Sequence, residues 1–177
     1  EACGGKEPKV VSFYSFKGGM GRTTALAATA ILLAKQGKRV LIVDTDIEAP
    51  GVAEIFFDQS TVQYGTVDFF VNHQALANYQ ADMQQYILEV TDATLKEDLS
   101  GELYVIPAGK ADEYYLSKLA RIDYQDMIPD GMRDTVTRLM KDAVKFLKEH
   151  GKAIDYVLLD ARAGFHDLGG VVTFQIP

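Results

Sequence analysis

The chain has 177 residues, 47% hydrophobic and 24% charged, which suits one globular domain with a sizeable core. Its formal net charge of -7 argues against a protein that coats nucleic acid through general charge attraction, because phosphate neutralisation needs an excess of lysine and arginine. The single cysteine, Cys3, excludes a disulfide within the chain and fits a reducing compartment, with the cytoplasm the expected location.

Residues 1–8 read as a flexible leader and residues 9–177 as one domain. Lys9-Val10-Val11-Ser12-Phe13-Tyr14 predicts a buried strand, ended by Gly18, Gly19 and Gly21. Arg22 to Gln36 is rich in Ala, Leu and Ile on nearly every side, the pattern of a buried helix, and Gly37 supplies its stop. Its most apolar run, Ala25 to Ala34, is ten residues long, about half of the roughly 20 that a spanning helix needs. Arg39-Val40-Leu41-Ile42-Val43 is a continuous apolar strand closed by Asp44.

The middle of the chain predicts a helix over 66–72 capped by Thr66, another over 78–90, and a charged surface loop over 92–102. A strand follows over 103–106, stopped by Pro107-Ala108-Gly109, then a short helix over 113–121 with Tyr114 and Tyr115 as its rim and core. From Asp130 to His150 apolar residues fall on one face at helical spacing, with Asp130 as N-cap and Gly151 as stop. The opposite face, with Arg133, Arg138, Lys141, Lys145 and Lys148, is most simply solvated. Tyr156-Val157-Leu158-Leu159 is a last core strand ending in Asp160.

Strand, glycine loop, helix and apolar strand form a βαβ unit, and the whole order predicts an α/β domain: a doubly wound, mostly parallel sheet with helices on both faces. Such sheets bind ligands at the carboxyl ends of their strands. The glycine loop, Asp44 with Asp46, and Asp160 all fall there. His73, His150 and His166 lack ligand spacing, and no serine–histidine or cysteine–histidine arrangement is present.

The loop reads Ser15-Phe16-Lys17-Gly18-Gly19-Met20-Gly21-Arg22-Thr23-Thr24. Glycines let backbone N–H groups curl around a phosphate chain, and the start of the following helix adds positive dipole character. Thr23, directly after the basic residue, is placed to ligate Mg²⁺, and Thr24 can reach another phosphate. The strict pattern G-x-x-x-x-G-K-[ST] fails twice, at Phe16 for the first glycine and at Arg22 for the lysine.

KGGMGRTT resembles the deviant Walker A loop of the ParA/MinD family of P-loop ATPases, in the arginine form of its KGGVGR-motif variants. VLIVDTDIEAPG is similar to the family's strand followed by D-x-D, LYVIPAG to the strand-plus-PAG segment, and YVLLDARAGFHD to its Walker B and switch II segment. The matches span residues 10–170. The resemblance implies a P-loop NTPase fold of the SIMIBI kind and a slow ATPase that binds ATP and Mg²⁺. It also implies a nucleotide-dependent homodimer, an unidentified protein effector, and further strands and helices beyond residue 177, where the family contacts adenine.

Residue by residue, the resemblance implies that Lys17 reaches the partner's phosphates across the dimer and that Arg22 takes the place of the P-loop lysine. Gly18, Gly19, Met20 and Gly21 line the phosphates, Thr23 ligates Mg²⁺, and Thr24 contacts the α-phosphate. Asp46 orients the attacking water or holds the metal's water shell, and Asp44 supports the metal site or its loop. Asp160 is the Walker B aspartate near Mg²⁺, and Gly164 senses the γ-phosphate. Arg162 stands where the family has proline. That change and Arg22 raise an alternative: a nucleotide-binding regulatory module with little or no hydrolysis. A P-loop enzyme phosphorylating a small molecule is a third reading, but the sequence shows no acceptor site.

Overall fold

The computed structural model describes residues 7–15, 21–76, 78–92, 98–123 and 131–162. Its elements run β1 (Lys9–Ser15), α1 (Arg22–Lys35), β2 (Arg39–Asp44), α2 (Val52–Phe56), α3 (Thr66–Ala75), α4 (Met83–Tyr86) and β3 (Leu88–Glu89). They continue with β4 (Glu102–Ile106), α5 (Tyr115–Leu119), α6 (Gly131–Glu149) and β5 (Tyr156–Arg162). The five strands lie in the order β1-β5-β2-β4-β3, parallel except for β3, which pairs antiparallel with β4.

Alternation along the strands builds two cores. Leu41, Val43, Tyr104, Ile106, Val157 and Leu159 pack with Val67, Phe69 and Phe70 of α3 and with Val136, Leu139, Met140 and Ala143 of α6. Val40, Ile42, Leu103, Val105 and Leu158 pack with Leu26, Ala27, Ala30 and Ala34 of α1 and with Val52 and Phe56 of α2. Helices therefore cover both faces, and the strands between them are apolar almost throughout, as a two-sided sheet requires. Among the described residues no helix is long and apolar enough to cross a membrane.

The last strand inserts between the first two, so the carboxyl ends of β1, β5 and β2 lie side by side. In register, Asp160 of β5 is opposite Phe13 on one side and Asp44 on the other. This reversal of strand order is the switch point at which a doubly wound sheet opens a crevice.

Several elements differ from the sequence expectation. Strand β1 is only half-buried, with Val11 and Tyr14 exposed, because in the described sheet it pairs on one side alone, with β5. Helix α1 is apolar all round yet buries one face, Leu26, Ala27, Ala30 and Ala34, and leaves Leu32 59% exposed. Thr66 is the first helical residue of α3 rather than its cap. The role falls to Gly65, whose N–H donates to Asp68 Oδ2 at 3.0 Å.

The helix expected over 78–90 is one turn, α4, started by Asp82 Oδ1 accepting from Gln84 N. The chain then extends as β3, because the open edge of β4 offers hydrogen bonds: Val90 N donates to Leu103 O at 2.9 Å. Strand β5 runs two residues beyond Asp160, where β1 continues to pair with it. Helix α6 has the expected apolar face, and Gly37 and Gly151 end their helices with φ of 78° and 76°, the left-handed region that suits glycine. The expected cap Asp130 and the leader residues 1–6 lie outside the described residues.

Candidate functional site

The site is built from the end of β2 outward. Asp44 is fully buried, and its carboxylate collects the chain that follows. Oδ1 accepts from Asp46 N at 3.0 Å, and Oδ2 accepts from Gly51 N at 3.4 Å and Val52 N at 3.3 Å. One short side chain thus organises the loop over 45–52 and orients the start of α2.

Thr45 fastens that loop to β5. Its N–H and its Oγ1–H both donate to Asp160 O, at 2.9 and 2.7 Å. Tyr115 Oη donates to Ile47 O at 2.7 Å from α5. Thr66 Oγ1 donates to Asp44 O at 2.7 Å while its N–H donates to Pro107 O at 2.9 Å, joining the ends of β2 and β4.

Helix α1 enters from the other side. Gly21 adopts φ 72° and ψ 16°, a conformation cheap only for glycine, and its carbonyl accepts the first helical bond from Ala25 N at 2.9 Å. Gly21, at the N-cap position, has no side chain to cap this N-terminus. Its first residue, Arg22, reaches both carboxylates: Nε donates to Asp160 Oδ1, and Nη2 donates to Asp46 Oδ2 at 2.5 Å. Thr23 Oγ1 donates to the other oxygen of Asp160, Oδ2, at 2.7 Å. Thr24 is exposed at the same helix end.

The charges are nearly dry. Side chains of Arg22, Asp46 and Asp160 are 11, 7 and 1% exposed. Burial works against the Arg22 charge, but hydrogen bonds and charge attraction from Asp46 and Asp160 outweigh it and raise its pKa above the ordinary value. Burial pushes Asp44 up to about 7, the charge of Asp160 adds to this, and the N–H groups of Val52, Asp46 and Gly51 partly offset both.

A hard divalent cation suits the donors that converge here, which are all oxygen: Asp46, Asp160 and the Thr23 hydroxyl. Among the described residues there is no cluster of three or more His, Cys, Asp or Glu. Two carboxylates and a hydroxyl fit the kind of site in which Mg²⁺ keeps waters and takes phosphate oxygens.

Of the residues singled out by sequence, Arg22, Thr23, Asp46 and Asp160 are in direct contact, with Asp44 and Gly21 beside them. Lys17, Gly18, Gly19, Met20 and Gly164 lie outside the described residues, as do His166 and the side chain of Arg162. Sequence reading missed Thr45 and gave Thr66 and Tyr115 other roles, as a helix cap and a packing residue. Each acts through a bond to a backbone carbonyl distant in sequence, and a lone hydroxyl residue carries no local signal for such a bond.

The sequence matches the family described as an AAA domain over residues 8–164. An uncharacterized ATP-binding protein of Methanocaldococcus jannaschii is 30% identical over 157 residues, which is 89% of this chain and 46% of that protein. An arsenical pump-driving ATPase of Escherichia coli is 36% identical over 101 residues, 50% of this chain and 17% of that one. The septum site-determining protein MinD of Buchnera aphidicola is 28% identical over 102 residues, 58% of this chain and 33% of that one. The chain thus spans less than half the length of these curated relatives.

Among solved structures, a plasmid partition protein from Borrelia burgdorferi superposes with a TM-score of 0.51 at 20% identity, covering 88% of this chain and 57% of that one. Cobyrinic acid a,c-diamide synthase from Mycobacterium smegmatis, solved with ADP and magnesium, gives a TM-score of 0.56 at 17% identity, covering 88% and 51%. At these identities the structural likeness is one of fold. Family match, relatives and fold agree: the chain belongs to the AAA-domain family and is a ParA/MinD-like P-loop ATPase family member.

Proposed function

We propose that the chain binds Mg²⁺–ATP at the N-terminus of α1, hydrolyses it slowly, and acts as a nucleotide-dependent dimerisation switch. The observation that carries this reading is the convergence of Arg22, Thr23, Asp46 and Asp160 on one point at the carboxyl ends of β5 and β2. The N-terminus of α1 beside them, with glycine at its cap position, suits an anion.

In this reading the loop over 17–24 cradles the phosphates. Lys17, Gly18, Gly19, Met20, Gly21 and Thr24 offer backbone and side-chain donors, and Gly164 adds an N–H at the γ-phosphate. Arg22 supplies permanent positive charge in a planar fork of donors. Thr23 and Asp160, with Asp46, would hold Mg²⁺, which when bound neutralises charge on the phosphate oxygens. Asp46 orients the attacking water, and Lys17 of a second copy enters across the dimer. Catalysis of this kind is positioning plus charge stabilisation, with no covalent chemistry by the protein.

A second reading keeps binding and drops turnover. It is favoured by the hold of Asp46 and Asp160 on Arg22, which engages the residue assigned to the water and the one assigned to the metal with the same cation.

Calorimetric titration with Mg²⁺–ATP, with phosphate release assayed in the same samples, tests both. Binding lost in Thr23→Ala and Arg22→Ala, with wild-type turnover that Asp46→Ala abolishes, supports the ATPase switch. Binding without turnover supports the regulatory module. An intact, folded chain that binds no nucleotide defeats both.

A further inference from the structure

Arg22 already occupies the space between the two carboxylates assigned to the cation. Its Nε serves Asp160 and its Nη2 serves Asp46, while Thr23 commits its proton to the remaining oxygen of Asp160. The nitrogen atoms are different, so the grip needs a fork. A lysine ammonium is a single point with three donors, and a guanidinium spreads its donors along a rigid plane.

We propose that Arg22 is a built-in counter-ion that closes the divalent-cation position until the phosphates of a nucleotide draw it away, making metal binding conditional on nucleotide. This rests on the nucleotide reading above and adds an order of events to it. With Arg22 in place, the cluster of Arg22, Asp46 and Asp160 carries one net negative charge; without it, two. A cation arriving alone meets a guanidinium at contact distance and must break both of its nearly dry ion pairs before it reaches the carboxylates, which is strongly unfavourable. A triphosphate changes this, because its oxygens accept the same planar fork. Arg22 is the first residue of α1, so transfer to an anion at that helix end needs only a side-chain rotation. By linkage the metal then tightens nucleotide binding by the factor with which nucleotide tightens metal binding.

The test uses Mn²⁺ alone, titrated into the nucleotide-free chain with free Mn²⁺ read by electron paramagnetic resonance. The variant is Arg22→Gln, which removes the charge. It should bind Mn²⁺ about tenfold or more tightly than the wild type, within the usual range of coupling between sites. Adding ATP should raise Mn²⁺ affinity in the wild type and much less in the variant. Equal Mn²⁺ affinity of the two nucleotide-free proteins overturns the proposal.

The wild type alone gives an independent decision, should the variant fail to fold. The Nε–H proton of Arg22 should give a slowly exchanging NMR signal without nucleotide that changes on adding ATP. A freely exchanging signal in the nucleotide-free chain overturns the clasp. If ATP binds but Mn²⁺ does not distinguish wild type from variant, the clasp falls and the nucleotide reading stands. If Mn²⁺ distinguishes them but no nucleotide binds, the counter-ion stands and the nucleotide trigger falls.

Discussion

Thr45 holds the carbonyl of Asp160 twice, through its backbone N–H at 2.9 Å and its hydroxyl at 2.7 Å. The bond joins two strand ends more than a hundred positions apart in sequence and sets the spacing of the carboxylates that follow. Thr45 leads directly into Asp46, and the Asp160 side chain leaves from the residue whose carbonyl Thr45 holds. Thr45→Val keeps the shape and the amide bond and removes the hydroxyl. Stability measured by urea denaturation should fall by about 1 kcal/mol, since the carbonyl keeps one donor. An unchanged midpoint would mean that the hydroxyl bond contributes nothing.

Gly65 lies where the start of α3 passes the end of β4. A Cβ built there would stand 2.3 Å from Pro107 O and 2.4 Å from Gly109 N, both backbone atoms that cannot rotate away. Its φ of -159° is open to any residue, so the constraint is space, not dihedral strain. Gly65→Ala should force α3 away from β4 and disturb the Thr66 bonds to Asp44 O and Pro107 O. A loss of at least about 2 kcal/mol is expected, in the range of overpacking a closed site. Thermal unfolding beside Gly37→Ala, where no atom lies within 4 Å of the added Cβ, separates crowding from dihedral strain.

Much of this architecture was legible in sequence because it is periodic or punctuated. Strands β2, β4 and β5 are short apolar runs ended by Asp or Pro-Ala-Gly, α6 has one apolar face, and Gly37 and Gly151 mark helix ends. The proximity of Arg22, Asp46 and Asp160 followed from the rule that ligands gather at strand ends. What stayed hidden was set by tertiary partners. Strand β3 forms because β4 has an open edge, β1 is half-exposed because of its place in the sheet, and α2 takes its direction from the Asp44 carboxylate. That Arg22 turns onto the carboxylates is likewise invisible locally, since its sequence neighbours predict only a phosphate contact.

Tyr115 gives a way to loosen the Asp46 loop without touching its charges. Its hydroxyl donates to Ile47 O at 2.7 Å, and its ring is buried in the core cluster that includes residues of α3. Tyr115→Phe keeps the ring and deletes the bond. Global stability should drop by only about 1 kcal/mol. Hydrogen exchange should rise locally, at Asp46, Ala49 and Gly51, whose N–H groups donate to Asp46 or Asp44 side chains. Faster exchange spread evenly over the protein would assign Tyr115 a packing role alone.

Asp44 makes stability depend on pH. Its carboxyl is raised from 3.8 to about 7 by burial and by the charge of Asp160. The folded chain therefore keeps this proton at pH values where the unfolded chain has released it. Stability rises with pH only where the unfolded state binds more protons, and here it binds fewer. The contribution is fully present below about pH 4 and is lost as pH rises through about 7. Other carboxylates, such as Glu102 between Lys152 and Arg39, which lower its pKa despite burial, act in the opposite sense at acid pH. The informative quantity is therefore a difference. Asp44→Asn cannot titrate and keeps one acceptor oxygen, so it loses either the bond from Asp46 N or those from Gly51 N and Val52 N, a cost that does not vary with pH. Relative to wild type, this variant should gain stability steadily from about pH 4 to about pH 7, by a few kcal/mol in all, and show no further change above that. Urea midpoints of the two nucleotide-free proteins that run parallel across this range would show that Asp44 is ionised throughout, with its three backbone donors outweighing burial.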